Sequence, residues 1–279
     1  MKTFVCINYY HYTKLSKKKT SRFLLKNYKL RYKIIDKVIC EYENYKNPID
    51  IMIVTNSNEG KEFIKKHFEK RVKYINTPEI NLINDHFLPY ASIDIMSKYK
   101  NEYDNFIYTE DDMIISYNTF SNWLKYSELL WKNGYVQYFY RVGIDNKLHD
   151  SKVPEEHDGK ILKKYEIEIE GIKFGRLSRP YAACWILNKE QFNLYLSRPS
   201  LLKQNHNNKW PKEYIAYGLT CDDRLLNKDT EFNKLCSVRV EDVKKWLSFK
   251  SVGLICIDDN LSISSNSKVI HYNPDINDL

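Results

Sequence analysis

The chain has 279 residues, a formal net charge of +8 and 43% hydrophobic residues, a composition typical of folded globular proteins. Its 8 glycines and 8 prolines exclude collagen-like and proline-rich architectures, which contain far more of both residues. No apolar stretch approaches the ~20 residues that cross a bilayer, and the first residues lack the apolar core of a signal peptide, so we expect a cytoplasmic protein.

The first half of the chain alternates predicted strands with predicted helices. Runs rich in valine and isoleucine predict buried strands over residues 2–9, 49–55 and 105–109, with a shorter one over 73–76. Apolar residues at helical spacing predict helices over residues 60–71 and 88–99. This alternation is typical of an α/β fold in which helices cover both faces of a mostly parallel central sheet.

The second half is less regular. We predict a helix over residues 120–131, strands over 135–142, 181–187 and 268–272, and a helix that begins near 189. The polar stretch 145–175 predicts a loop or a hairpin between them. The chain contains no internal repeat and no linker-like boundary, so we expect a single domain over residues 1–279.

Positive charge is concentrated between Lys14 and Lys37, where Asp36 is the single acidic residue. Apolar residues alternate with the cations, which predicts a basic amphipathic helix. Such a helix binds anionic lipid headgroups or phosphorylated substrates, or it is simply a solvated lysine face. No zinc-finger, RRM-type or helix-turn-helix pattern accompanies the charge, so we do not expect nucleic acid as a partner.

Three consecutive carboxylates, Glu110, Asp111 and Asp112, directly follow the predicted strand 105–109. Their mutual repulsion is costly unless a cation compensates it. Oxygen ligands at this density suit Mg²⁺ or Mn²⁺, which commonly also bind substrate phosphates. Ligands of open α/β sheets bind at the carboxyl ends of strands, where these acids fall. The pattern therefore indicates a metal site, the alternative being a turn of exposed acids.

A strand that ends in Glu-Asp-Asp resembles the DxD-type motif of GT-A glycosyltransferases. Two later segments resemble that family as well: residues 217–224, which contain Asp222 and Asp223, are similar to its acidic acceptor-side motif, and residues 269–273 contain a late histidine, His271. The motif departs from a strict D-x-D, and Thr-Cys stands where Gly-Glu is usual before Asp222.

The resemblance implies a GT-A-like, Rossmann-like fold with a nucleotide-sugar-binding half (1–116) and an irregular acceptor-binding half (117–279). It implies Mn²⁺ or Mg²⁺ held by Asp112, with Glu110 or Asp111 assisting and His271 completing the coordination shell. The ion bridges the diphosphate of a nucleotide-sugar donor, so Glu110 and Asp111 count among the donor-binding residues. The acceptor is a glycan, a lipid-linked molecule or a protein, and an anionic membrane surface is a further partner of the basic segment.

The resemblance also implies roles for individual side chains. Either Asp222 or Asp223 is the general base of an inverting reaction, whereas a retaining enzyme would not use a base there. The expected base and ribose contacts are Asn8, Tyr9 and Thr55. Aromatic residues 181, 185 and 217 either stack on an acceptor sugar or pack in the core, and residues 204–208 form a loop that we expect to close over the donor.

Two other functions use the same features. A metal-dependent phosphodiesterase or nuclease would use the same carboxylates around two ions. A non-enzymatic phosphate- or membrane-binding module would depend on the basic segment instead. Neither a P-loop nor a G-x-G-x-x-G sequence is present, which disfavours ATP- and NAD-dependent chemistry by those routes.

Overall fold

The computed structural model describes twelve stretches of the chain, and all structural statements concern them: residues 1–11, 28–78, 88–143, 160–161, 163, 166–175, 183–197, 215, 218–219, 252–256, 262 and 264–271. For residues 28–30, 252–255 and 271 it describes the backbone alone. Most of the predicted basic segment, including Lys14, lies outside these residues.

The central sheet has five strands in the order β10-β4-β1-β2-β3. Strands β1 (Thr3–Tyr9), β2 (Ile49–Thr55), β3 (Tyr74–Asn76) and β4 (Asn105–Glu110) are parallel. Strand β10 (Trp185–Asn188) runs antiparallel to β4. The mostly parallel sheet predicted from the alternating strands and helices is therefore confirmed.

Helices cover both faces of this sheet because alternate side chains of each strand point to opposite sides. On one face, Val5, Ile53 and Ile107 pack in a single cluster with α1 (Tyr28–Glu43) and α2 (Asn58–Phe68). On the other face, Cys6, Val54 and Phe106 pack with α3 (Leu88–Lys98) and α5 (Lys189–Leu196). Helix α2 begins where the Ser57 hydroxyl accepts a hydrogen bond from the Gly60 amide, the usual arrangement at a helix start.

Two smaller sheets follow the central one. Strand β12 (Lys268–His271) lies between β5 (Met113–Ile115) and β7 (Tyr140–Val142). The other sheet has the order β6-β11-β9-β8, with β6 at Tyr135–Gln137, β8 at Glu166–Ile169, β9 at Ile172–Gly175 and β11 at Val252–Cys256. Helix α4 (Tyr117–Lys132) connects β5 to β6, and a 3₁₀ turn (Ser265–Ser267) precedes β12.

The structure corrects one predicted element and adds another. The single strand predicted over residues 135–142 is two strands, β6 and β7, which pair with different sheets. Strand β11 was not predicted. The hairpin expected within 145–175 is present as β8 and β9.

Within the part of the chain that the structure describes, no helix has both the length and the hydropathy needed to span a bilayer. The cytoplasmic location and the division of the chain into halves at residue 116 stay predictions.

Candidate active site

The predicted acidic motif lies where the carboxyl ends of the parallel strands meet. Asn8 near the end of β1 is in register with Val54 of β2 and with Glu110 of β4. The Asp111 amide donates a 3.0 Å hydrogen bond to the Asn8 carbonyl. The ends of β1 and β4 therefore hold the turn that carries the three carboxylates.

The middle carboxylate of the motif is held by an arginine. Arg31 of α1 forms an ion pair with Asp111, and the two side chains are 17% and 9% exposed. Burial raises the pKa of Asp111 and the negative charge of Asp112 adds to that effect, while the Arg31 guanidinium opposes it. Asp111 therefore faces the helix that covers one side of the sheet, and its carboxylate is already part of an ion pair.

The two outer carboxylates are half-buried. Glu110 Oε1 and Asp112 Oδ1 are both shielded from solvent. Burial raises the pKa of the Tyr108 hydroxyl, and the nearby Glu110 charge raises it further. Because side chains alternate along a strand, Glu110 lies on the side of Tyr108, away from Arg31. The motif thus places its first carboxylate on a different side of the sheet from its second, while Asp112 follows in the turn.

The backbone brings His271 to the same turn. Strand β12 pairs antiparallel with β5, and His271 is in register with Met113, the residue after Asp112. Two carboxylates and an imidazole are donors that suit Mn²⁺, so the residue types at this turn fit the expected ion. Among the side chains that the structure describes, which do not include that of His271, no three histidine, cysteine, aspartate or glutamate groups form a metal-binding cluster.

The three residues predicted to contact the nucleotide-sugar donor lie at the carboxyl ends of the strands, as expected, but their side chains are buried. Asn8 is 0% exposed, Tyr9 1% and Thr55 0%. The Asn8 amide donates a 2.8 Å hydrogen bond to the Tyr108 hydroxyl and accepts one from Ser92. These side chains connect the strand ends to one another and to the helices on either face.

Several residues at this edge were missed in the sequence. The His11 amide donates a 2.8 Å hydrogen bond to Asn56 Oδ1. Burial lowers the pKa of the His11 ring and the Arg31 charge lowers it further, against an opposing effect of Glu59. Gly60 of α2 lies so close that a Cβ atom there would be 2.7 Å from the His11 Cβ. The signal in the sequence was Gly60 itself, a glycine at the start of a predicted helix and close after the predicted strand 49–55.

On the acceptor side, Trp185 lies in the core rather than in a cleft. Its ring stacks on Tyr108 at a centroid distance of 5.5 Å, and its Nε1 donates a 3.0 Å hydrogen bond to the Ile215 carbonyl. Gly218, with φ of +58°, packs against the same ring. Stacking of an acceptor sugar on Trp185 is therefore wrong, and the alternative of core packing is confirmed.

The other acceptor-side predictions lie outside the described residues. These are the two candidate bases, Asp222 and Asp223, the aromatic residues 181 and 217, and the loop at 204–208.

The chain was also compared with known proteins. No protein-family model and no curated protein matches it. The crystal structure of residues 1–349 of TarS from S. aureus is similar to the chain, with a TM-score of 0.39 and 11% sequence identity over 69% of the chain. The chain spans 48% of that structure's length. A likeness this distant carries no weight for function, which has to rest on the residues of the site.

Proposed function

We propose that this protein is a metal-dependent glycosyltransferase of the GT-A type, which moves a sugar from a nucleotide-diphosphate donor to an acceptor hydroxyl. The observation that carries the proposal is the register of β5 and β12. It puts His271 beside the turn of Glu110 and Asp112, at the carboxyl ends of parallel strands, where α/β proteins bind their ligands.

The metal ligands in this proposal are Glu110, Asp112 and His271. A divalent ion there would neutralise the charge of the departing nucleoside diphosphate. The chain itself supplies a fixed turn, because the Asp111 amide bonds the Asn8 carbonyl and the Asp111 carboxylate is held by Arg31. In this proposal Glu110, on the Tyr108 side of β4, and Asp112, in the turn that follows, bind the ion.

The nucleoside would lie against the ends of β1 and β2. The side chains of Asn8, Tyr9 and Thr55 are buried, so we expect the backbone of these strand ends to make the base and ribose contacts. Asn56 and His11, joined by a hydrogen bond, form the neighbouring wall. The close approach of α2 at Gly60 fixes that wall against the end of β2.

The acceptor would approach from the side of Trp185. Gly218 packs on the Trp185 ring, and Leu219 is buried in the same cluster. Asp222 follows Leu219 by three residues, a span of at most about 11 Å in an extended chain. We take Asp222 or Asp223 as the base of an inverting reaction, because both follow Leu219 closely in the chain, and Trp185 of the same cluster stacks on Tyr108, two residues before Glu110.

The first experiment measures nucleotide binding by thermal unfolding. We expect Mn²⁺ together with a nucleoside diphosphate to raise the melting temperature. At a nucleotide concentration of 100 Kd, binding should add about 2.7 kcal/mol to the free energy of unfolding. Asp112→Asn should abolish this shift. The matched control is Glu128→Gln, which removes an exposed carboxylate on α4 that pairs with Lys132. An undiminished shift in Asp112→Asn would show that the metal assignment is wrong.

The second experiment identifies the reaction by its products. Glycosyl transfer releases a nucleoside diphosphate from the sugar donor, whereas a phosphodiesterase would cleave the diphosphate and release a monophosphate. Asp222→Asn and Asp223→Asn are then assayed separately for donor binding and for transfer. One of them should bind donor normally and fail to transfer the sugar. Full transfer by both variants would rule out a base at either position.

A further inference from the structure

Among the described residues of the predicted basic segment, Arg31 pairs with the acidic motif. Its Nη2 donates a 2.9 Å hydrogen bond to the Tyr10 carbonyl and also pairs with Asp111. Its guanidinium lies 5.2 Å from the centre of the Tyr9 ring. One side chain from α1 therefore contacts the ends of both β1 and β4.

The position of the Arg31 side chain is supported by the aromatic ring beside it. The Tyr9 ring beneath it stacks on Phe63 of α2 at 5.8 Å, with an interplanar angle of 10°. Both hydrogen bonds come from Nη2, which the planar guanidinium holds in place while its central carbon stays near the Tyr9 ring. A lysine ammonium is a point charge without this planar fork, so it would keep the charge but not the geometry.

The charge of Arg31 matters because three acids are consecutive in the motif. Without a cation, the buried Asp111 carboxylate would be drawn toward any positive charge bound by its neighbours, Glu110 and Asp112. The turn would then present its carboxylates in a different arrangement. Arg31 keeps the second carboxylate on the α1 side, opposite the side of Tyr108 and Glu110.

We propose that Arg31 is a positioning residue for the metal and donor site: by binding Asp111, it keeps that carboxylate out of the ligand set, which then consists of Glu110, Asp112 and His271. This role rests on the proposed function. It acts through Asp111, so it predicts that the harm of losing Arg31 disappears when the charge of Asp111 is removed as well.

The test compares four variants. Arg31→Met removes the charge at similar length, Arg31→Lys keeps the charge without the fork, and Arg31→Met/Asp111→Asn removes both charges. The control, Lys33→Met, removes an exposed cation from the same helix. Two properties are measured well below the melting temperature: the dissociation constant of a nucleoside diphosphate in the presence of Mn²⁺, and the affinity for Mn²⁺ alone. The melting temperature without ligand is recorded in parallel.

We expect Arg31→Met to weaken metal-dependent nucleotide binding at least tenfold and to lower the melting temperature. The double variant should recover both properties, with a dissociation constant within about threefold of that of the unmodified protein. The dissociation constant of Arg31→Lys should fall between those of Arg31→Met and the double variant. Lys33→Met should bind the nucleotide as the unmodified protein does.

Three results would overturn the proposal. A double variant as weak as Arg31→Met would mean that Arg31 contacts the phosphates directly. Unchanged affinity in a folded Arg31→Met or Arg31→Lys protein would mean that the ion pair is only structural, and the proposed function would stand. An unmodified protein that binds no nucleotide with Mn²⁺ would remove the proposed function and this role together.

Discussion

The parallel strands of the central sheet all begin at one edge, here called the amino edge, and end at the opposite one, the carboxyl edge. Charged residues are arranged differently at the two. At the amino edge, the single carboxylate of Asp50 accepts hydrogen bonds from Lys2 and Lys73, at 2.8 Å each, and from the Tyr103 hydroxyl at 2.7 Å. At the carboxyl edge, three consecutive carboxylates share one turn and Arg31 pairs with the middle one.

The pKa values reflect this difference. Burial opposes ionisation of Asp50, but its hydrogen bonds from Lys2, Lys73 and Tyr103 outweigh it and lower its pKa to about 2. Burial raises the pKa of Asp111, and Asp112 adds to the effect despite Arg31. The amino edge is arranged for stability, whereas the carboxyl edge accepts repulsion among like charges, as ligand-binding sites commonly do.

The largest expected contrast is between one cation at each edge. Arg31→Met leaves a buried carboxylate without its partner and should lower the free energy of unfolding by about 3 kcal/mol. Lys73 is 42% exposed, and Asp50 keeps two other donors, so Lys73→Met should cost less than ~1 kcal/mol. Urea denaturation at pH 7 measures both values. Equal losses would mean that the two edges do not differ in how deeply their ion pairs are buried.

A second contrast concerns packing at the carboxyl edge. Glycine to alanine in a helix normally stabilises by about 0.5–1 kcal/mol. At Gly60, however, the new methyl group would lie 2.2 Å from Thr55 Oγ1 and 2.7 Å from His11 Cβ. We expect Gly60→Ala to destabilise by about 2 kcal/mol.

The control for this variant is Lys66→Ala, at an exposed position of the same helix, which should change the unfolding free energy by less than ~0.5 kcal/mol. A more stable Gly60→Ala protein would show that α2 can move away from the strand ends at no cost.

The smallest effect is the pH dependence of the amino edge. The folded-state pKa of Asp50 is about 2, below the ordinary aspartate value of 3.8, so its ion pairs stabilise the protein fully above pH 4. That stability is lost as the pH falls through 2. Between pH 5 and pH 2, the unmodified protein should lose on the order of 1–2 kcal/mol more than Asp50→Asn does. Parallel losses in the two proteins would contradict the lowered pKa.

Much of the central sheet was predictable because its strands are short apolar runs with clear ends. The predicted strand at 49–55 coincides with β2, and the acids at 110–112 were correctly expected at a strand end. The proximity of His271 to them was inferred from a family resemblance, and the backbone register agrees with it.

The elements that were missed depend on contacts distant in sequence. Residues 135–142 were predicted as one strand because Tyr138 and Phe139, between β6 and β7, continue the aromatic run without a turn residue; in the structure both are buried. The run is divided into two strands by their different partners: β6 pairs with β11, whereas β7 pairs with β12. Arg31 was counted among many cations, since nothing local distinguishes the one that reaches Asp111, 80 residues away.

The pairing of β12 with β5 has a consequence for the order of folding. Ile115 and Val269 are register partners, so closing that pair orders a chain loop of about 150 residues, while β1 and β2 are joined by a far shorter one. Longer loops lose more chain entropy on closure, so distant pairings tend to form after nearer ones. The acidic turn therefore gains its last neighbouring strand late, after the sheet beneath it already exists.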